Sequence, residues 1–186
     1  MKGIIFIHGF NKTSNDFNKT EQGKDINIEK QIGKRNHTIL IQIDNYMDVD
    51  TNMKNIIEKL KKYNVKEWIL VCHSLAIIYC LQLLKYNIFS GVCLIDPTVL
   101  DDISIKEYNI NMDNYIKVND ISTKIVFHIH LNYDEKDLEY FSRQVKYYSK
   151  FIGKNDKSKM IIHPNKSHML HYTDSPKILR SILDLI

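Results

Sequence analysis

The chain has 186 residues, 44% of them hydrophobic and 26% charged, with a formal net charge of +4 at pH 7. That balance is ordinary for a soluble globular protein, and the length suits one domain, residues 1–186, with a sizeable core. Basic residues are interleaved with acids, as in Glu58-Lys59-Leu60-Lys61-Lys62 and Asp134-Glu135-Lys136-Asp137. The clustered cations of a nucleic-acid footprint are therefore not expected.

Cys72, Cys80 and Cys93 each lie in an apolar stretch, odd in number and without a CxxC pair. Met1-Lys2-Gly3 runs straight into a strand-like segment rather than a leader, and no apolar run is long enough to span a membrane. Reduced thiols and a cytoplasmic location, with no membrane partner, are the expectation.

Ile4 to Ile7 is an apolar run ending at His8-Gly9, which predicts a strand buried on both faces. A polar, Asn-rich loop (residues 11–23) precedes an amphipathic piece at 26–32, and Thr38 to Ile43 predicts a second strand. Thr51 to Tyr63 carries Met53, Ile56, Ile57 and Leu60 at helical spacing. Trp68 to Cys72 predicts a third strand, followed almost without a loop by an apolar helix from Leu75 to Tyr86. Val92 to Ile95 predicts a fourth strand, halted by Asp96-Pro97. Residues 98–122 are polar and irregular. Ile125 to Leu131 predicts a fifth strand, Leu138 to Ile152 a helix and Met160 to Ile162 a short sixth strand. Pro176 to Ile186 predicts a closing helix, with Pro in its first turn. Alternation of this kind implies an α/β fold: a mostly parallel sheet of about six strands with helices on both faces.

The most specific stretch is Trp68-Ile69-Leu70-Val71-Cys72-His73-Ser74-Leu75-Ala76. A strand passing so abruptly into a helix places Ser74 on a strained turn at the carboxyl edge of the sheet. Small residues must then stand two positions to either side, here Cys72 and Ala76 where glycines are usual. The helix amino terminus supplies N–H groups and partial positive charge for a developing oxyanion. A serine that merely caps a helix is the simpler explanation of these residues taken alone.

Four stretches in order resemble the α/β-hydrolase superfamily over nearly the whole chain. Ile4-Ile5-Phe6-Ile7-His8-Gly9-Phe10 is similar to the first shared strand and its oxyanion loop. His73-Ser74-Leu75 is similar to the nucleophile elbow, and Val92 to Pro97 to the strand after the elbow helix. Ser167-His168-Met169-Leu170-His171, with Ser175-Pro176 and the last helix, is similar to the catalytic-histidine loop. The resemblance implies a three-layer sandwich with Ser74 as nucleophile, His168 as general base and Asp134 as orienting acid. His171 and His163 are rivals for the base; Asp137 and Asp96 are rivals for the acid, Asp96 also serving simply to end a strand.

The same resemblance implies an oxyanion hole from the backbone N–H groups of Phe10 and Leu75, with Gly9 permitting a sharp turn. His8 and His73 would be supporting residues of these loops. One or two early strands of larger members would be missing, and residues 98–122 would form a short flap in place of the cap. The substrate would be a small carboxylic ester, handled through an acyl-enzyme without a cofactor. A thioesterase or acyltransferase would share that chemistry, and a binding protein on the same fold would lack it. His128 and His130 share one strand face and could ligate zinc with a third residue, but no Cys, Asp or Glu accompanies them in the motif; no metal is expected.

Overall fold

The computed structural model describes residues 2–19, 24–33, 36–115, 121–152, 157–164 and 176–186. Six strands form one sheet: β1 (Gly3–Ile7), β2 (His37–Ile41), β3 (Trp68–His73), β4 (Phe89–Ile95), β5 (Lys124–Leu131) and β6 (Lys159–Pro164). Their order is β2-β1-β3-β4-β5-β6, and all five pairings are parallel.

Continuous apolar strands are tolerated because both faces are covered. Ile5, Ile7, Leu70, Cys72, Val92, Leu94, Phe127 and Ile129 belong to one core. Their alternate neighbours Ile4, Phe6, Ile69, Val71, Cys93, Ile95 and Val126 belong to the other, the period of two expected of a strand. On the first face lie α2 (Val49–Lys61), α3 (Ile77–Leu83) and α5 (Glu135–Ile152), burying Met53, Ile56 and Leu60, then Ile77 to Leu81, then Tyr148 and Phe151. On the second lie α1 (Ile28–Ile32) and α6 (Pro176–Leu183), burying Ile28, Ile32, Ile178 and Ile182. The molecule is a three-layer α/β sandwich.

Two of the differences from the sequence expectation come from capping aspartates. Asp134 accepts the N–H of Asp137 at 2.9 Å, so α5 starts at Glu135, three residues before its apolar pattern begins. Asp101 accepts the N–H of Ser104 at 3.1 Å and opens α4 (Asp102–Glu107), a helix within the stretch read as irregular. The chain enters the sheet at β1, runs outward to β2, then returns past β1 to β3. The crevice at such a reversal, beyond the carboxyl ends of the strands, is where open α/β sheets bind ligands. Gly9 and Ser74 sit there.

Candidate active site

Ser74 follows β3 directly and has φ 53°, in the left-handed region. Among the described residues, five others share a positive φ: Asn11, Asn87, Asn109, Asp96 and Gly33. Asn and Asp tolerate that region and glycine is free in it, which leaves Ser74 the costly member at ~1–2 kcal/mol. The turn is held by the segment that follows β4: Thr98 N–H donates to the Ser74 carbonyl at 3.2 Å. Thr98 Oγ1 also lies 3.5 Å from Ser74 Oγ. A capping serine needs no left-handed backbone, since the cap position is normally extended. Here His73 holds that extended conformation, with φ −111° and ψ 137°.

At the two positions where glycine is usual, Cys72 and Ala76 are fully buried between β3 and α3. Cys72 meets Cys80 of α3; burial first, then the hydrogen bond with Cys80, pushes its thiol pKa well up. The Cys72 thiol is thus a packed apolar group rather than a second nucleophile.

Gly9 comes close to the elbow. A Cβ there would lie 2.8 Å from His73 Nδ1, 3.0 Å from Ser74 Cβ and 3.3 Å from the His73 carbonyl. Its φ is not positive, so the glycine serves close approach rather than the sharp turn expected from the sequence; Asn11, at φ 57°, makes the turn instead. His8 fixes this loop. Ile43 N–H donates to His8 Nε2 at 3.0 Å, which leaves the proton on Nδ1 to be donated to the Gly9 carbonyl at 2.8 Å. Burial pulls the His8 pKa down, outweighing the Gly9 hydrogen bond and the charges of Asp16 and Asp44, and this favours that neutral tautomer. Tyr46 OH donates to the His8 carbonyl at 2.8 Å, and Tyr79 OH of α3 donates to the Tyr46 carbonyl. The helix behind Ser74 is thereby tied to the loop in front of it. Phe10 carries an exposed ring, edge-on to Tyr46 and Tyr108.

Ser74 opens on a cleft of about 330 Å³, which Thr98, Tyr108, His130, Tyr140 and Arg143 also line. Arg143 forms a bidentate pair with Asp101 at 2.6–3.0 Å, fastening α4 to α5 along one wall. Asp134 is exposed at the turn between β5 and α5; Oδ1 accepts from Asp137 N–H and Oδ2 from Asn132 Nδ2 at 3.0 Å. Asn132 Nδ2 also donates to Asp137 at 2.9 Å, and Asp137 lines the cleft. His168 and His171 lie outside the described residues. His163 is buried on β6, its Nε2 2.8 Å from Nδ1 of His128 on β5.

One pairing was not foreseen. Asp96, with no exposed surface and φ 46°, places Oδ2 2.6 Å from Nδ1 of His130. Its Oδ1 accepts from Gln144 Nε2 at 3.0 Å and lies 3.4 Å from the His130 N–H. Burial lowers the His130 pKa, but the hydrogen bond and charge of Asp96 outweigh it and leave the pKa raised. A signal was present: adjacent parallel strands share one carboxyl edge, so an Asp ending β4 and a His near the end of β5 come together. Among the described residues no group of three or more His, Cys, Asp or Glu is arranged to hold a metal ion. No helix among them is long and apolar enough to cross a membrane.

No family model matches the chain, and a search of curated proteins finds no match. Solved structures do match. A predicted CIB-like hydrolase from Thermoplasma acidophilum superposes with a TM-score of 0.63 at 15% identity, covering 98% of this chain and 84% of that one. NosK from Streptomyces actuosus gives 0.64 at 10% identity, covering 99% and 96%. A marine microorganism esterase gives 0.59 at 13% identity, covering 99% and 95%. At these identities the likeness is one of architecture. The fold is that of the α/β-hydrolases.

Proposed function

We propose that the chain is a serine hydrolase acting on small carboxylic esters through an acyl-enzyme on Ser74. The observation that carries this reading is the left-handed backbone of Ser74 at a strand-to-helix turn, with Gly9 close against it and a cleft in front. Strain of this kind persists only where the surroundings impose it, and it concentrates at functional sites. The hydrolase and esterase among the solved structures of like fold lend the reading further support.

In this reading His168, which precedes α6 in the sequence, removes the Ser74 hydroxyl proton as Oγ attacks the ester carbonyl carbon. Asp134 orients His168 and stabilises its imidazolium. Asp134 already caps α5, but each carboxylate oxygen has two lone pairs and can accept a further hydrogen bond. The N–H groups of Phe10 and Leu75 receive the oxyanion. The alcohol leaves with the proton from His168; water then gives a proton to His168 as it adds to the acyl carbon, and the bond to Ser74 Oγ breaks as His168 returns that proton to Oγ, releasing the carboxylic acid. The flap expected within residues 98–122 includes α4, whose Ser104 and Glu107 line the cleft.

The test is turnover of p-nitrophenyl acetate and butyrate by the wild type, Ser74→Ala and His168→Ala. Loss of a triad nucleophile or base is expected to lower kcat on the order of 10⁴-fold or more. Absence of any Ser74-dependent turnover by folded protein would overturn the reading. Hydrolysis of thioesters but not oxygen esters would move it to a thioesterase.

A further inference from the structure

Two of the large apolar side chains left in water bracket one hollow. Phe10 is 41% exposed and Met47 39%, and both line a cavity of about 350 Å³ beyond the carboxyl ends of β1 and β2. Exposed apolar residues scattered singly are ordinary on a protein surface. Two that converge on a concavity of this size, among a few polar groups, are the usual lining of a small-molecule site. Residues 10–12 form one side of the hollow and residues 42–47 the other.

The two loops are braced against each other. His8 Nε2 accepts Ile43 N–H and the His8 carbonyl accepts Tyr46 OH. Asn52 of α2 donates through Nδ2 to the Asn45 carbonyl at 2.8 Å. Gln42 Oε1 accepts Ser14 N–H at 2.9 Å, and its Nε2 donates to Asp44 at 3.2 Å. The shape is thus fixed before anything enters, which spares a ligand the cost of ordering it. The Phe10 ring packs edge-on against the buried ring of Tyr46, centroids 5.6 Å apart, so the apolar wall is backed from within.

The hollow adjoins the Ser74 cleft. Phe10 lines the hollow, Tyr108 lines the cleft, and their rings meet edge-on with centroids 6.4 Å apart. Gly9, the residue before Phe10, lies close against Ser74. One residue, about 3.8 Å of chain, separates the contact with the elbow from the apolar rim. A ring joined to an ester through one methylene covers that span.

Resting on the serine-hydrolase reading, we infer that this hollow receives an aromatic group of the ester, held between the Phe10 ring and the Met47 thioether. The substrate class is then an aryl-bearing ester. A flat ring suits the site because Phe10 offers edge or offset packing and a thioether sulfur is attracted to a ring edge. Asn11, Lys12 and Asn45 also line the hollow and can meet a polar substituent on that ring.

Ethyl acetate carries no ring, ethyl phenylacetate one on the acyl side and benzyl acetate one on the alcohol side; their turnover is followed by titrating the acid released. At least one ring-bearing ester is expected to show a KM about ten-fold below that of ethyl acetate, the effect of withdrawing about 55 Å² of apolar surface from water. Its cyclohexyl counterpart should bind less tightly. The KM ratio should collapse toward one in Met47→Ser and be kept in Met47→Leu, with thermal unfolding showing that both variants fold. Turnover with no ring preference, one shared equally by the cyclohexyl ester, or one that survives Met47→Ser overturns the inference and leaves the hydrolase reading standing. So does a dimer that Met47→Ser dissociates without moving the ratio, because a second copy would then be the occupant. No Ser74-dependent turnover of any ester overturns both.

Discussion

Replacing Gly9 by Ala tests the proposed oxyanion loop with one methyl group. The added Cβ would stand 2.8 Å from His73 Nδ1 and 3.0 Å from Ser74 Cβ, with the His73 carbonyl 3.3 Å away. Non-bonded carbon contacts settle at roughly 3.5–4.0 Å, so loop and elbow must part by roughly 0.5–1 Å. The loop cannot simply swing clear, because His8 is anchored through Ile43, Tyr46 and the Gly9 carbonyl. Alanine is compatible with the backbone there, so overpacking is the main cost, about 1–3 kcal/mol. The larger effect falls on the oxyanion. Its donors act within a narrow window near 3 Å, and losing one lowers the rate by about 10²–10³-fold. The assay is the second-order rate of fluorophosphonate labelling at Ser74, with thermal unfolding recorded on the same samples. Labelling of folded Gly9→Ala within about three-fold of wild type would refute the assigned oxyanion loop, since that window tolerates no such displacement.

Two other outcomes follow from buried groups. Burial, then the charges of His163, Lys159 and Lys177, pushes the His128 pKa from 6.5 down to about 3. The unfolded chain thus protonates at this position first. Its contribution to stability is complete above pH 6.5 and is lost as pH falls toward 3, with a slope approaching about 1.4 kcal/mol per pH unit. Urea unfolding across pH 4–7 should show this slope shrink in His128→Gln; an unchanged slope would contradict the assignment. At Gly3, a Cβ would fall 2.2 Å from Cε3 of Trp68, the fully buried first residue of β3. Gly3→Ala should destabilise by about 1–3 kcal/mol by denaturant unfolding while the folded fraction still labels at Ser74; an unchanged midpoint would show that the indole yields.

What the sequence made legible was what repeats locally. Ile4 to Ile7 and Trp68 to Cys72 are uninterrupted apolar runs, and Ile125 to Leu131 is broken only by His128 and His130; such runs announce strands covered on both faces. The parallel sheet follows from their alternation with helical patterns. Less legible was α4, whose six residues include the exposed Ile103 and offer too few turns for a period to appear. The start of α5 was obscured because Asp134 and its neighbours are polar, and a capping aspartate is also what a loop aspartate looks like. At the site, Ser74 stood out because a strand and a helix meet on it. His130 did not, since its meaning comes from Asp96, 34 residues earlier and one strand away. The reason for Gly9 was likewise hidden: a close approach to another segment leaves no local trace, whereas a turn does.

The most direct test of Ser74 as the nucleophile is peptide mapping after reaction of the folded protein with a fluorophosphonate. The expected result is one stoichiometric adduct on Ser74, absent from Ser74→Ala and slowed in His168→Ala. A folded protein that takes no label, or takes it on another residue at the same rate in Ser74→Ala, would contradict it.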